Sequence, residues 1–412
     1  MPRADWRRKA EYNGRRHPQS LVPGDQDGGL PVKRLDWYLA VNHGYTHAVL
    51  LGIPILILGL VATDGWTRAE LVGWFALGGM AYGFGAFPAG WLAAQRPGET
   101  MTGGLALAAA GLVLAAASPA QTGPALVICG TGLAAYHPAG MAVLAEAYPN
   151  GTGRALARNG VGGNIGQVAG PLLAATWPWV GPQGVLGLFA AGAVATLLLG
   201  LGTVPAPAVS AVRGRSALLV LLTLPVIALQ SASTLNGFAF RSVMVITPLE
   251  VEDFLAALGA TPQGAAPTVA LLIAVATVTG IPGTLAAGRA IERYGAGVVI
   301  FVAALGVLAG ATLLAGGLTG ALPGGLWLAA AGMAVFGAFT YGSQPALNTR
   351  LAELTDTEGR AVLYGFTFAL RFGLSFGAPL LVLALVQWEA PQVMAALCAL
   401  AVLPSAWAWK QS

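Results

Sequence analysis

The stretch Gly132-Leu133-Ala134-Ala135-Tyr136-His137-Pro138 runs, after a polar break, into Gly153-Arg154-Ala155 and then Gly166-Gln167-Val168-Ala169-Gly170-Pro171-Leu172-Leu173. The pattern returns in outline further along. There it reads Gly337-Ala338-Phe339-Thr340-Tyr341, then Pro345, Gly359-Arg360-Ala361 and Gly373-Leu374-Ser375-Phe376-Gly377-Ala378-Pro379-Leu380-Leu381. The two Gly-Arg-Ala triplets lie 206 residues apart. The same features in the same order make the chain two related halves. In a membrane bundle, such a repeat points to a carrier whose substrate site lies where the halves meet.

Composition makes it a membrane bundle. Of 412 residues, 56% are hydrophobic and 9% are charged, where soluble domains carry roughly 25% charged residues. Apolar runs of about 20 residues, each long enough to cross a bilayer core as a helix, recur along the chain. The alternating short strands of a transmembrane barrel are not seen. The expected fold class is an all-α polytopic membrane protein with twelve transmembrane helices in two six-helix repeats. The spans are placed near 36–60, 70–93, 100–118, 123–146, 154–176, 183–203, 217–248, 267–288, 296–315, 323–348, 360–385 and 390–409. The seventh is long and is expected to bend near Pro225 or to begin with an interfacial stretch. The expected domains are a basic tail (1–34), an N-terminal bundle (35–203), a linker (204–216) and a C-terminal bundle (217–409).

The formal net charge is only +4, and the placement of charge says more. Arg3, Arg7, Arg8, Lys9, Arg15, Arg16, Lys33 and Arg34 crowd the tail. The tail lacks the apolar core of a signal peptide. It reads as a disordered cytoplasmic segment that fixes orientation, with anionic-lipid binding as the functional alternative. With the amino terminus inside, Arg96, Arg154, Arg213, Arg215, Arg289, Arg293, Arg350, Arg360 and Lys410 fall on the cytoplasmic side. Arg68 and the acids Glu250, Glu252 and Asp253 fall in outer loops. This positive-inside pattern puts both termini in the cytoplasm and the protein in the inner membrane. No basic, aromatic-rich module for nucleic acid accompanies the charge. Cys129 and Cys398 lie in apolar runs and read as packing residues.

Three signatures resemble the major facilitator superfamily over about residues 36–409. The first is Gly288-Arg289-Ala290-Ile291-Glu292-Arg293-Tyr294-Gly295 between spans eight and nine, with a degraded copy at Gly90-Trp91-Leu92-Ala93-Ala94-Gln95-Arg96-Pro97-Gly98. The resemblance implies that Gly288, Glu292 and Arg293 clamp helix ends, and that the first-half clamp is weak. The second is Gly166, Gly170 and Pro171 in span five, similar to the antiporter motif of drug exporters. Tight helix packing explains those glycines equally well. The third joins Tyr136-His137-Pro138-Ala139-Gly140 to Gly162-Gly163-Asn164-Ile165-Gly166, and resembles the fosmidomycin-resistance branch of drug exporters. That branch carries a His and, four residues on, an Asp in span one. Here those positions read His43 and His47. The resemblance implies a major facilitator fold, a monomer, and spans one and four facing a central cavity.

No carboxylate is expected inside the membrane, so histidine is the natural group for proton coupling. His43 and His47 share a helix face, and His137 stands in span four. His47 and His137 are the leading candidates. His43, nearer the cytoplasmic end, also suits a packing role. A His-x-x-x-His pair with His137 as third ligand would also suit a metal, although no metal or other cofactor is expected. Arg371, at mid-span, would cost roughly 2.5–3.5 kcal/mol if it faced lipid. It is therefore expected to face the cavity and hold an anionic group such as a phosphonate, phosphate or carboxylate. Arg241 is similar. Arg158 is assigned to orientation or gating. Asn42, Tyr136, Asn164, Gln167, Gln344 and Asn348 are further candidate substrate contacts.

The leading expectation is a secondary active transporter exporting a small drug-like or anionic organic molecule against protons. The alternatives are a proton-linked importer of a small organic anion and, behind it, a metal or metal-chelate transporter using His43, His47 and His137. An enzyme would need a catalytic cluster that is not visible. An ATP-driven pump would need a Walker motif, which is absent.

Overall fold

The computed structural model describes residues 30–93, 95–148, 152–204, 223–354, 366–384 and 390–410. All twelve apolar intervals are helical over most of their described length, and no strand occurs among the described residues. The first half contains α1 (Leu30–Asp64), α2 (Arg68–Ala93), α3 (Pro97–Ala117), α4 (Thr122–Leu133), α5 (Tyr136–Ala147), α6 (Thr152–Ala174), the short α7 (Trp177–Val180) and α8 (Pro182–Gly200). The second contains α9 (Leu224–Ala257), α10 (Pro262–Tyr294), α11 (Ala296–Leu318), α12 (Gly325–Glu353), a composite eleventh span ending in α13 (Ala378–Ala384), and α14 (Ala390–Lys410). Nine helical stretches among the described residues are long and apolar enough to cross a membrane. Most of the basic tail, the linker beyond Val204, and the second Gly-Arg-Ala triplet at 359–361 lie outside the described residues.

Several boundaries differ from expectation. The first helix begins at Leu30, inside the expected tail, because Pro31 suits a first helical turn, where no N–H is needed. Pro225 likewise begins α9 rather than bending it. That helix runs on past 248 to Ala257, so Glu250, Glu252 and Asp253 stand on its last turns and not in a loop. Glu252 and Asp253 are paired there with a residue across the molecule, described below. The next helix, α10, overruns its expected end at 288 and reaches Tyr294. Gly288, Glu292 and Arg293 therefore belong to the helix rather than to a loop. The turn into α11 is Gly295 alone, at φ 84°. That left-handed conformation favours glycine.

Span four, expected as one helix, is two. Ala134 and Ala135 form a turn between α4 and α5. Pro138 supplies no N–H for the Ala134 carbonyl and its ring crowds it, which breaks a helix at this point. Span eleven is also irregular. Ala369–Leu374 is wound as a π-helix and Ser375–Gly377 as a 3₁₀ turn. Pro379 leaves the Ser375 carbonyl without its usual donor, and wide turns of this kind occur mostly at functional sites.

Small residues set how closely the helices approach. Along the α1/α6 crossing, Gly162, Gly166 and Gly170 rest on the backbone of Ala40, Gly44 and Ala48, with no room for a side chain. The opposite face of α6 carries exposed Val161, Ile165 and Leu172. Glycines also let α3 meet α4 at Gly104, Gly111 and Gly132. In the second half they let α11 meet α12 at Gly310, Gly317 and Gly332. The repeat read from sequence is thus a repeat of helix contacts.

The halves meet where α2 crosses the irregular eleventh span, with Gly83 on Gly373 and Gly79 on Phe376. They also meet where α6 lies beside α10 and α1 beside α9. At the end of the bundle opposite the linker, Arg68 of α2 grips both oxygens of Asp253 at 2.6 and 2.7 Å. It also reaches Glu252 of α9 at 2.9 Å.

Candidate functional site

All three histidines of the described residues meet at this seam. His43 and His47 lie one turn apart on α1, and their Nε2 atoms are 3.1 Å apart. His137 stands in the first turn of α5, brought inward by the break before it. Its ring centroid is 5.1 Å from that of His43 and 5.3 Å from that of His47. His43 and His137 are each only 7% exposed. The outer nitrogens are tied down. His43 Nδ1 lies 2.9 Å from the Asn159 carbonyl oxygen and 3.2 Å from its side-chain nitrogen. His137 Nδ1 lies 3.0 Å from the Tyr82 hydroxyl. With His43 donating from Nδ1 to the Asn159 carbonyl, its Nε2 is a bare acceptor for the Nε2–H of His47. A neutral His43–His47 pair is therefore satisfied, and a proton added to it can rest on either of those two rings.

Tyr136 stacks on His43 at 5.2 Å and donates to either the Leu39 carbonyl or Asn159 Oδ1, each at 2.8 Å. Gly163 on α6 leaves space for the His43 ring. On the far side, His137 packs against two rings of the second half, Phe368 at 4.9 Å and Phe372 at 6.3 Å. His137 is thus the point at which the cluster touches the second half.

Beyond that aromatic wall lies Arg241 of α9, 3% exposed. Its guanidinium is 3.9 Å from the Phe376 ring centroid, 5.4 Å from Phe240 and 5.7 Å from Phe372. Arg371, on the π-helical turn, packs against the same helix one turn away, where its carbonyl and side chain crowd Gly237. Among the described residues, neither guanidinium makes a hydrogen bond or ion pair. Every described acid lies between helices or within about two turns of a helix end. Glu252, on the same helix as Arg241, is eleven residues away, about 16 Å along the axis.

The other candidates are distributed as follows. Gln167 is buried and accepts from Tyr341 of α12, a polar link between the halves. Asn164 and Gln344 are half-buried, and Asn348 is exposed toward the end of α12. Asn42 belongs elsewhere: its amide donates to Tyr38 at 3.2 Å, and with Thr46 it borders a small void against Met101 and Leu105 of α3. Gly166 and Gly170 serve the α1/α6 crossing. Pro171 follows them inside α6. Arg158 pairs with Asp36 at 3.2 Å and lies over the Tyr148 ring, tying α6 to α1 and α5. Tyr148 donates to Asp36 at 2.7 Å. Burial, with that bond, holds the phenol above its usual range. Glu292 and Arg293 are exposed, Arg293 lying over Tyr294, and among the described residues neither reaches another helix.

Asn159, Tyr82, Phe368 and Phe372 were not singled out from the sequence. Tyr82 carried a signal, being one large polar ring inside Gly78-Gly79-Met80-Ala81-Tyr82-Gly83.

A sequence model described as the Major Facilitator Superfamily matches residues 47–379. No curated protein matches the chain. Among solved structures, the nucleoside transporter NupG is 14% identical, with a TM-score of 0.71 over 92% of this chain and 98% of its own. A D-xylose–proton symporter is 16% identical, with a TM-score of 0.67 over 92% of this chain and 97% of its own. A bacterial homologue of the human lysosomal transporter Spinster, in an inward-facing and unoccupied conformation, is 14% identical. Its TM-score is 0.61, over 94% of each chain. At such identities the likeness is one of fold.

Proposed function

Because this chain belongs to the Major Facilitator Superfamily, and is thus a multi-pass membrane transporter rather than an enzyme, we propose that it couples the movement of a small organic molecule to protons. The observation that carries this is the imidazole cluster at the seam. His43 and His137 are buried and His47 is half-buried beside them, with His43 and His47 hydrogen-bonded to each other and His137 in contact with the second half through Phe368 and Phe372. A proton placed there adds charge beside Phe368, where a cation meets the negative ring face. The preferred packing of one half on the other then changes with protonation. That is the coupling an alternating-access carrier needs. The groups facing the cluster are Tyr136 and Asn159 within the first half, Tyr82 from α2, and Arg241 from α9.

Two directions of transport follow from different features. Export of a drug-like molecule is favoured by the resemblance of Tyr136-His137-Pro138 and Gly162-Gly163-Asn164 to the fosmidomycin-resistance branch. The glycines of span five add nothing further, because the α1/α6 crossing accounts for them. Proton-linked uptake of an organic anion is favoured by Arg241 and Arg371. The positive-inside pattern supports both termini in the cytoplasm of an inner-membrane protein, which we take to act as a monomer with the lipid bilayer as its surroundings.

The test is proton movement in proteoliposomes loaded with a pH-sensitive dye, on adding fosmidomycin, amphiphilic drugs or small organic anions. Substrate-driven proton flux that His137→Ala and His47→Ala both abolish is the expected result. Its direction relative to the substrate separates exchange from co-transport. Substrate flux with no proton movement would remove the proton coupling.

A further inference from the structure

We infer that Arg241 and Arg371 form a binding site for a compact dianionic oxyanion, of phosphonate, phosphate-monoester or sulfate type, and that anion and proton occupy the protein together. The inference rests on the proton-carrying reading above and adds the substrate class and the sign of coupling.

The first argument is charge. Arg241 is almost wholly buried on α9, Arg371 packs against the same helix one turn earlier at Gly237, and no described acid lies within reach of Arg241. Removing even one such ion from water is costly, and a second like charge adds to the cost. Aromatic faces at 3.9–5.7 Å offset only part of it for Arg241. Neither fork has its hydrogen bonds filled by the described residues, although Arg is the side chain best shaped to grip an oxyanion with two parallel N–H donors. A tetrahedral head group has enough oxygens for both forks, and its two charges match theirs. Phe240, Phe372 and Tyr341 provide apolar faces for a small body attached to it.

The second argument is linkage. Phe372 lies between the two sites, its ring centroid 6.3 Å from that of His137 and 5.7 Å from the Arg241 guanidinium, so positive charges on its two sides repel, and the tyrosines nearby, Tyr82, Tyr136 and Tyr341, are ordinarily neutral near pH 7. An anion on the arginines cancels the field that opposes protonation of the imidazoles. By reciprocity, a proton on the imidazoles strengthens the anion site. Cargo and proton therefore load in the same state, as in co-transport, and not in exchange.

The experiment is calorimetry on purified protein in detergent, with sulfate and phenylphosphonate as probes and chloride as control. Sulfate keeps its charge between pH 6 and 8, so proton uptake in weak buffer is read with it. Saturable sulfate binding, at least threefold tighter at pH 6.5 than at pH 8 and accompanied by net proton uptake, is expected. Phenylphosphonate should bind more tightly than sulfate. R241Q and R371Q should each weaken binding at least tenfold while raising the anion-free melting temperature, because an uncompensated charge has been removed. R241K, which keeps the charge without the fork, should fall between. The triple variant H43Q/H47Q/H137Q should bind sulfate with no proton uptake.

Failure of either probe to bind, or binding unchanged in R241Q and R371Q, would overturn the site. Proton release on binding would overturn the co-loading. Binding of phosphatidic acid micelles in place of the soluble probes would make the occupant a lipid head group and overturn the cargo assignment. None of these readouts requires turnover, so the anion site and the transport reading fail separately.

Discussion

Gly163 shows how tightly the histidine cluster is built. A methyl group there would stand 2.7–2.9 Å from three atoms of the His43 ring, closer than van der Waals contact allows. Gly163→Ala is expected to displace that ring and lower transport at least tenfold, while amount and melting temperature in detergent stay near native. Full activity in this variant would show that the position of His43 does not matter. Tyr82→Phe removes the hydroxyl at His137 Nδ1, a hydrogen bond worth about 1 kcal/mol. It should move the midpoint of the pH dependence of transport by roughly half a unit to one unit, with little change in substrate KM; an unmoved profile would separate Tyr82 from the proton path. At this scale the sequence was informative about residue type and weak about neighbourhood. Histidines inside apolar runs stand out because they are expensive there. That Asn159 and Tyr82 would be the groups holding them depends on which helices cross, and no local pattern carries that. Asn42 shows the converse. One residue from His43 on the helix, it faces α3 and takes no part in the cluster.

Among the helices, the α1/α6 crossing fixes where His43 and His47 point. Adding one carbon at Gly166 overpacks the contact, at a cost of about 1–3 kcal/mol. Gly166→Ala should therefore melt at lower temperature than native protein, while Ala169→Val on the exposed face of the same helix should not. Equal melting of the two would mean that the crossing yields more readily than its geometry suggests. The existence of each helix followed from hydropathy alone, because a bilayer demands long apolar runs with self-satisfied backbones. Their ends did not. Glu252 and Asp253 look like loop residues by charge, yet they lie on α9, where they pair with Arg68 of the other half. The break before α5 was written in Pro138, yet membrane helices often absorb a proline, so its consequence for His137 was not legible. The π-helical turn at Arg371 left no sequence mark beyond Pro379.

The whole molecule is held shut at one end by Arg68. In the structure it spans from α2 to α9 with three close contacts. Other ion pairs between described residues, Arg96–Glu99, Arg158–Asp36 and Arg350–Glu353, each stay within one half. A partly exposed pair is worth about 1 kcal/mol, so Arg68→Ala should favour separation of that end roughly fivefold. Spin labels at Ala62 and Leu258 would report it as a larger population of long distances; an unchanged distribution would mean that helix packing alone closes this end. The two-fold plan of the molecule was legible from its repeated motif, but the asymmetry within it was not. Among the described residues the histidines lie in the first half, and Arg241 and Arg371 in the second. That division has an electrical consequence. A charge carried across a membrane responds to the potential by about 2.3 kcal/mol per 100 mV. If the two guanidiniums move across the field, the anion-free protein reorients with two positive charges, whereas the proposed dianion together with one proton leaves a net charge of one. An inside-negative potential would then act about twice as strongly on the anion-free protein as on the loaded one.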